Sequence, residues 1–372
     1  MKRLKLKLKS KYLYLVAGIR LRIMQIKRLS GVAILVFAVL VPGLTSLSHP
    51  VFAGQSQNVT LSGAGSTFVY PLLSKWSYEY EKRTGIKINY QPIGSGGGIQ
   101  QIRAKTVDFG ASDAPLNEKE LKEYGLIQMP DVAGGVAIAY NIPGVGKGLK
   151  FTPQILADIY LGKITTWDDP RIKSVNPDIK LPNLPIVVVH RSDGSGTTFI
   201  FTSYLSSVSP EWAKKVGSAI SVNWPTGIGG KGNPGVAAFV SKTRGSIGYV
   251  ELAYVLQNNM AYGAVKNKSG YFVFPSVESC RAAAATVKSI PDDFNIMFIN
   301  PEGKDVYPIA GFTYLIIYKH QHDPVKGKAL VEFIKWIYSD EGQKMAASLD
   351  YVPLPERIIH RIEEQLKGVS IK

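Results

Sequence analysis

The sequence predicts an α/β protein, and three observations lead to this prediction. Short apolar strand candidates alternate with helical stretches from about residue 58 onward, which is typical of mostly parallel sheets covered by helices. Small, hydroxyl-bearing or acidic residues follow three successive strand candidates. The chain has 372 residues, of which 45% are hydrophobic, so it can form two domains with a large core.

The first 53 residues are expected to form a targeting segment outside the fold. Residues 1–30 hold ten Lys or Arg and no acid, and the apolar run Val32–Val41 follows them. Val51-Phe52-Ala53 then offers small residues before a cleavage point, so this order predicts a secretory signal peptide cut after Ala53. An uncleaved membrane anchor is the alternative, although the apolar run is short for a span, and Met24 is an alternative start.

The net charge of +16 resembles that of a nucleic-acid-binding protein, but its distribution argues against that class. Without residues 1–53 the chain holds 34 basic and 28 acidic residues, a mild excess that suits an anionic ligand. Cys280 is the single cysteine, which excludes an internal disulfide and a cysteine-based metal site. The sequence therefore predicts an exported, disulfide-free periplasmic protein that binds no nucleic acid.

Three strand–turn units open the predicted fold. In chain order they are Asn58–Ser62 with the turn Gly63–Phe68 and a helix to about Arg83; Ile86–Tyr90 with the turn Gly94–Gly98 and the helix Ile99–Lys105; and Val107–Ala111 with Ser112-Asp113. Ligands of open α/β sheets bind at the carboxyl ends of strands. These turns are therefore expected to face one site.

Two apolar segments bounded by glycines predict a hinge. Val136–Tyr140 follows Gly134-Gly135, Phe312–Tyr318 follows Gly311, and the helices Leu330–Tyr338 and Glu341–Leu349 come after the second segment. The expected arrangement has a discontinuous first lobe, residues 54–132 plus 309–372, and a second lobe, residues 133–308, inserted between its parts. Two sequential domains are the alternative.

The turn that follows the strand candidate Ile186–Val189 predicts an anion-binding cradle. It contains Arg191, Asp193, Ser195 and Thr197 together with two glycines, and a helix is expected to start near Gly196. Free N–H groups and the positive end of the helix dipole would then face the turn, beside the guanidinium fork of Arg191. The alternative is an ordinary strand–turn–helix junction, because helix starts generally favour Ser, Thr and Gly.

Two carboxylates need a separate explanation, because each repels a nearby anion. Asp113 is acceptor-only when ionised, so it suits a ligand that carries a proton; equally, it could cap a helix that starts at Ala114-Pro115. Asp193 lies two residues from Arg191, and it either holds the guanidinium or caps the turn.

The catalytic patterns that we searched for are incomplete. Gly229-Gly230-Lys231-Gly232 lacks the Ser or Thr of a phosphate loop, and no G-x-S-x-G elbow occurs. His190 could act as a base, but no nucleophile, base and orienting group come together in the sequence. We therefore expect a non-enzymatic protein with no cofactor and no metal.

The mature chain resembles the periplasmic phosphate-binding proteins of high-affinity phosphate ABC transporters. The resemblance covers nearly all of residues 58–360 and becomes weak only over Val265–Phe294. The matching blocks are Gly63–Phe68, Gly94–Gly98, Val107–Asp113, Asp158–Ile164, Arg191–Thr197, Gly227–Asn233 and Gly248–Glu251. Each block is weak alone, but together and in this order they are specific.

The resemblance implies a two-lobed type II periplasmic binding protein, each lobe a mixed sheet flanked by helices, joined by a two-strand hinge. It implies a monomer that holds inorganic phosphate between its lobes and delivers it to membrane permease subunits, and indirectly to their ATPase. The implied phosphate-binding residues are Thr67, Phe68, Ser95, Asp113, Arg191, Ser195, Gly196 and Thr197, with Asp193 orienting Arg191. The alternatives are a binding protein for another oxyanion such as sulfate or molybdate, a secreted phosphatase that uses Ser95 or Ser195, and a surface-adhesion role.

Overall fold

The computed structural model describes residues 59–372, and its strands follow the predicted alternation with helices. The strands are β1 (Thr60–Gly65), β2 (Lys87–Gln91), β3 (Phe109–Ser112), β4 (Leu126–Asn141), β5 (Lys150–Phe151), β6 (Val187–Arg191), β7 (Ile228–Gly230), β8 (Ser246–Glu251), β9 (Ala261–Tyr262), β10 (Ala264–Lys266), β11 (Phe272–Val273), β12 (Ala310–Tyr318), β13 (His320–Gln321) and β14 (Ser370–Ile371). The predicted signal peptide, its cleavage after Ala53 and the alternative start at Met24 lie outside the described residues.

Helices occupy most of the connections between these strands. They are α1 (Tyr70–Thr84), α2 (Ser95–Arg103), α3 (Glu118–Tyr124), α4 (Pro153–Tyr160), α5 (Pro170–Val175), α6 (Gly196–Val208), α7 (Pro210–Lys215), α8 (Gly232–Lys242), α9 (Leu252–Gln257), α10 (Val277–Ala285), α11 (Pro324–Ile337), α12 (Asp340–Ser348) and α13 (Glu356–Lys367). None of the helices within residues 59–372 has the length and apolarity needed to cross a bilayer.

The main sheet is mixed, and its strand order places a long central strand between two parallel groups. The order is β2-β1-β3-β12-β4-β8-β6-β7, and β9 pairs with β4 in addition. β1, β2 and β3 run parallel to one another, as do β6, β7 and β8. β12 and β4 pair antiparallel with their neighbours, which explains why the prediction of mostly parallel strands holds only for the two outer groups.

The central strand β4 changes its partner half-way along its length. Its first part, Leu126–Gly135, pairs with β12, and its second part, Val136–Asn141, pairs with β8. The β1–β3 group therefore runs along β4, while the β6–β8 group runs against it, so the carboxyl ends of both groups point toward the middle of β4. Ligands of such sheets bind beyond the carboxyl ends, and here both sets of ends meet at one place.

Helix α2 starts earlier than predicted, at Ser95 rather than at Ile99. The glycines before Ile99 form its first turn because α2 packs directly on strand β1. A Cβ atom on Gly98 would lie 2.5 Å from the Cα of Gly65 and 2.6 Å from the carbonyl oxygen of Ala64. The predicted glycine loop is therefore the first turn of a helix that packs against the ends of β1 and β3, since the same Cβ atom would lie 3.1 Å from the carbonyl oxygen of Ala111.

The glycines at the two predicted crossings permit close packing, and their backbones do not adopt positive φ. A Cβ atom on Gly134 would lie 2.6 Å from the ring of Phe68, and one on Gly311 would lie 2.7 Å from the side chain of Ile200. Phe68 and Ile200 both belong to the buried core, which is continuous through this region. A larger side chain at Gly134 or Gly311 would therefore have to displace Phe68 or Ile200 from the core.

Candidate functional site

The predicted site residues come together where the strand ends of the main sheet meet. Thr67 and Phe68 follow β1, Asp113 follows β3, Arg191 ends β6, and the remaining four stand in the first turns or caps of α2 and α6. All eight predicted ligand residues are buried, with side-chain and backbone exposure of a few per cent or less: Thr67, Phe68, Ser95, Asp113, Arg191, Ser195, Gly196 and Thr197. The fold therefore gathers residues that are far apart in the sequence into one buried group.

Asp113 lies at the centre of this group, and both of its carboxylate oxygens accept hydrogen bonds. Oδ1 accepts from the hydroxyl of Ser66, and Oδ2 accepts from Oγ1 of Thr197 at 3.3 Å. Its backbone N–H donates to Oγ of Ser95 at 3.2 Å. The alternative that Asp113 caps a helix is wrong, because the next helix begins at Glu118 and is capped by Asn117.

Burial raises the pKa of Asp113 to about 6, although the hydroxyl of Ser66 and the charge of Arg191 act in the opposite direction. A carboxylate in this setting lacks water to satisfy its lone pairs, so a neighbouring O–H donor stabilises it strongly. Near neutral pH the Asp113 carboxylate would therefore be stabilised by one more hydrogen bond from an O–H group. A ligand oxygen that carries a proton would supply that donor.

Arg191 is held by Asp193 in a two-pronged ion pair. Nε of Arg191 donates to Oδ1 of Asp193 at 2.8 Å, and Nη2 donates to Oδ2 at 2.6 Å. Burial raises the pKa of Asp193, but the hydrogen bond and charge of Arg191 outweigh it and leave the pKa below its ordinary value. Asp193 thus orients the guanidinium, and its Oδ1 also accepts the backbone N–H of Gly232 at 2.9 Å.

Helix α6 starts where the sequence predicted it, so its first backbone N–H groups and the hydroxyl of Ser195 lie at this turn. Ser195 is its N-cap, and Oγ of Ser195 accepts from the N–H of Thr198 at 3.0 Å. The backbone N–H of Ser195 donates to the carbonyl of Ile220, so Ser195 can offer only its hydroxyl hydrogen to a ligand. Gly196 and Thr197 are the first two helical residues, whose N–H groups have no partner within a helix.

Close approach across the site explains why glycine occupies position 196. A Cβ atom on Gly196 would lie 2.5 Å from Cβ of Asp113, and the backbone N–H of Gly96 donates to the carbonyl of Gly194 at 2.9 Å. These contacts join the segments that follow β2 and β3 to the loop that follows β6. The loops therefore pack directly against each other at this point, and the site residues are buried between them.

Ser66, next to the predicted pair Thr67 and Phe68, is a site residue that the sequence analysis missed. Its hydroxyl donates to Asp113 and accepts the N–H of Phe68 at 2.9 Å, so the predicted backbone donor of Phe68 is engaged by Ser66 in this structure. The signal was present in the Gly63–Phe68 block, where Ser and Thr are adjacent. Sequence alone does not indicate which of the two hydroxyls faces Asp113.

His190 has no place in this group of donors. Its ring stacks on Trp224 with centroids 4.8 Å apart, and burial lowers its pKa below the ordinary value. The neutral ring packs against other aromatic side chains, which favours a structural role over that of a base. Within residues 59–372, no cluster of three or more His, Cys, Asp or Glu side chains has a metal-binding arrangement.

Comparisons with known proteins identify the family. The model of the PBP superfamily domain matches residues 52–341. The phosphate-binding protein PstS of Xylella fastidiosa is 51% identical over 84% of this chain and 86% of its own length. The PstS protein of Pasteurella multocida is 48% identical over 87% of this chain and 94% of its own length.

The chain belongs to the PstS family of phosphate-binding proteins.

A solved structure agrees with this assignment at the level of the fold. The high-affinity periplasmic phosphate-binding protein PfluDING, solved with bound phosphate, aligns with a TM-score of 0.67 at 23% identity, covering 84% of this chain and 96% of its own. The predicted periplasmic binding protein fold is confirmed. The relatives are named as phosphate-binding proteins and not as phosphatases, so the comparisons favour binding over the secreted-phosphatase alternative.

Two further residues, which the sequence analysis did not single out, form hydrogen bonds with the predicted site residues and with Thr198. The hydroxyl of Tyr249 accepts the backbone N–H of Arg191 at 3.1 Å and lies 2.6 Å from Oγ1 of Thr198. Asn233 contacts two of the predicted threonines and is fully buried. Both lie in blocks that carried the resemblance, but neither block shows in sequence which side chain points to the site.

Proposed function

We propose that this protein binds inorganic phosphate between the two groups of strands and delivers it to the membrane permease subunits of an ABC importer. It would act in the periplasm, as a monomer, with the transporter's ATPase as an indirect partner, after export by residues 1–53. Support for this proposal comes from the PstS relatives, whose name states phosphate binding. A relative of known structure is described as periplasmic.

The observation that carries the choice of ligand is the buried pair formed by Asp113 and Arg191. The charge of Arg191 acts on Asp113, and the two side chains share the hydroxyl of Thr197 as a neighbour. The guanidinium attracts an oxyanion, while the carboxylate repels any oxygen without a proton. Phosphate near neutral pH offers both kinds of oxygen, whereas sulfate and molybdate offer only unprotonated ones. The carboxylate therefore discriminates against those ions.

The other proposed ligands are donors that surround this pair. Hydroxyl groups of Thr67, Ser95, Ser195 and Thr197 and backbone N–H groups of Gly196 and Thr197 would donate to the unprotonated oxygens, and the N–H of Phe68 would join them on leaving its present acceptor, the hydroxyl of Ser66. The starts of α2 and α6 contribute the positive ends of two helix dipoles. Neutral donors of this kind hold an anion in a buried site without adding a net positive charge that would also attract other anions.

We also propose two lobes that close over the ligand, residues 54–132 plus 309–372 and residues 133–308. The change of partner along β4 at residues 135–136 supports this division, because it is where the chain passes from one group of strands to the other. Phosphate that contacts both groups would favour the closed arrangement, which the permease would then recognise.

Isothermal titration calorimetry on the mature chain, residues 54–372, tests the proposal. Phosphate, arsenate, sulfate and molybdate are titrated separately at several pH values between 5 and 9. We expect tight binding of phosphate and of its protonated analogue arsenate, with sulfate and molybdate at least about a hundredfold weaker at pH 8, because an unpaired buried carboxylate opposes them. Binding of sulfate or molybdate in preference to phosphate would overturn the proposal.

A further inference from the structure

Asn233 links the two groups of strands at the site, although no ligand role was predicted for it. It is the second residue of helix α8 and is fully buried. The loop before it, Gly229–Gly232, fails as a phosphate loop, so the sequence analysis gave it no function. In the structure this loop instead carries Asn233 into contact with residues from both groups.

The orientation of the Asn233 side chain is fixed by one backbone donor. The N–H of Glu251 donates to Oδ1 of Asn233 at 2.9 Å, and a backbone N–H can only donate. The opposite end of the amide must therefore be the NH₂ group. That group donates to Oγ1 of Thr67 and to Oγ1 of Thr197, both at 3.0 Å.

These contacts occupy the acceptor capacity of the Thr67 hydroxyl. Its oxygen accepts both the backbone N–H of Asn233 and the side-chain NH₂ group, each at 3.0 Å. A hydroxyl has two lone pairs and one hydrogen. With both lone pairs in use, the hydroxyl of Thr67 can take part in a further hydrogen bond only as a donor.

The hydroxyl oxygen of Thr197 likewise has both of its lone pairs in use. It accepts from Nη1 of Arg191 at 3.3 Å and from the NH₂ group of Asn233 at 3.0 Å, and its hydrogen lies toward Oδ2 of Asp113 at 3.3 Å. Asn233 therefore acts on one hydroxyl from each group of strands. Neither hydroxyl can accept from a ligand oxygen: Thr67 has its hydrogen free to donate, and Thr197 could donate to a ligand only by turning its hydrogen away from Asp113.

We propose that Asn233 is a positioning residue for phosphate, which acts by forcing the hydroxyls of Thr67 and Thr197 to donate. This inference rests on the proposed function and deepens it. Ligand oxygens beside the two threonines must then be unprotonated, and the phosphate proton is directed to Asp113, the acceptor at the site. Asn233 thus selects a single placement of the proton on the ligand.

The first test compares phosphate affinity in the wild type and in Asn233→Ala, by calorimetry at pH 8 and pH 6. Without the NH₂ group each threonine regains a free lone pair and can accept as well as donate. We expect affinity at pH 8 to fall by about tenfold or more, since two hydrogen bonds to the anion lose their fixed polarity. The ratio of affinity at pH 8 to that at pH 6 should shift several-fold toward pH 6.

A double-mutant cycle separates this role from a structural one. In a background that carries Thr67→Val and Thr197→Val, the hydroxyls are absent, so Asn233→Ala should change phosphate affinity by less than about threefold. The control is Asn267→Ala, because Asn267 is a buried amide whose three donor contacts, to the carbonyls of Gly303, Lys304 and Val306, lie in another part of the chain. That variant should lose stability and keep wild-type affinity.

Asn233→Asp provides a second variant if Asn233→Ala does not fold. It keeps an acceptor for the N–H of Glu251 and removes the NH₂ donor, so affinity should fall as in Asn233→Ala. Wild-type affinity in a folded Asn233 variant, or the same loss with and without the two threonine hydroxyls, overturns the inference. Failure of the wild type to bind phosphate overturns the proposed function instead, so the two failures are distinguishable.

Discussion

Replacing Arg191 with Ala tests the central electrostatic argument. The side chain of Arg191 is 1% exposed, and its charge is opposed by Asp193 and by the nearby Asp113. Its removal leaves two carboxylates and an anionic ligand together without a buried cation. Truncation of one member of a buried, hydrogen-bonded charge pair costs about 2–5 kcal/mol, which corresponds to a loss of roughly thirtyfold to several thousandfold in affinity.

Calorimetry with phosphate at pH 8 measures this loss directly. Arg191→Lys keeps the charge but cannot reproduce the two-pronged contact with Asp193, so its affinity should lie between those of the wild type and Arg191→Ala. Arg171→Ala is the matched control, because Arg171 also pairs with aspartates but is 47% exposed and lies outside the site. Unchanged phosphate affinity in a folded Arg191→Ala protein would refute the reasoning.

Two further predictions concern buried carboxyl groups. Asp113→Asn should relax the rejection of sulfate more than it weakens phosphate binding, because the amide can donate to an unprotonated oxygen; an unchanged phosphate-to-sulfate affinity ratio in calorimetry contradicts this. Burial raises the pKa of Asp131 to about 8, so the folded state binds its proton more tightly and stability falls as pH rises from about 4 to about 8, by up to about 1.4 kcal/mol per pH unit. Asp131→Asn should flatten that fall in urea unfolding curves, and an undiminished slope contradicts the assignment.

The elements of the fold could be predicted because their signals are local. Apolar runs ended by small residues gave the positions of β1, β3 and β6 within a few residues, and the cluster of Ser, Gly and Thr before Phe199 gave the start of α6. The early start of α2 could not be predicted, because Gly98 is helical only on account of its close contact with β1. That contact is tertiary and leaves no local pattern.

The site shows the same division between local and tertiary information. Arg191 and Asp193 are two residues apart, so their ion pair follows from the sequence once the turn is recognised. Ser66 and Asn233 stand 167 positions apart, and their roles depend on how the loops after β1 and β7 approach Asp113 and the two threonines. Hydroxyl and amide residues are common in loops, so their presence alone does not indicate a binding role.

The arrangement of charges indicates where the affinity of such a site comes from. Asp193 neutralises Arg191, so the pair presents an oriented fork of N–H donors with little net charge. In the proposed site Asp113 would reject unprotonated oxygens, and the remaining contacts with phosphate would come from hydroxyl and backbone donors fixed by the fold. Buried, preoriented donors are screened little by salt and lose little entropy on binding. A site built in this way would gain its selectivity from the placement of one proton, which an excess of positive charge could not distinguish.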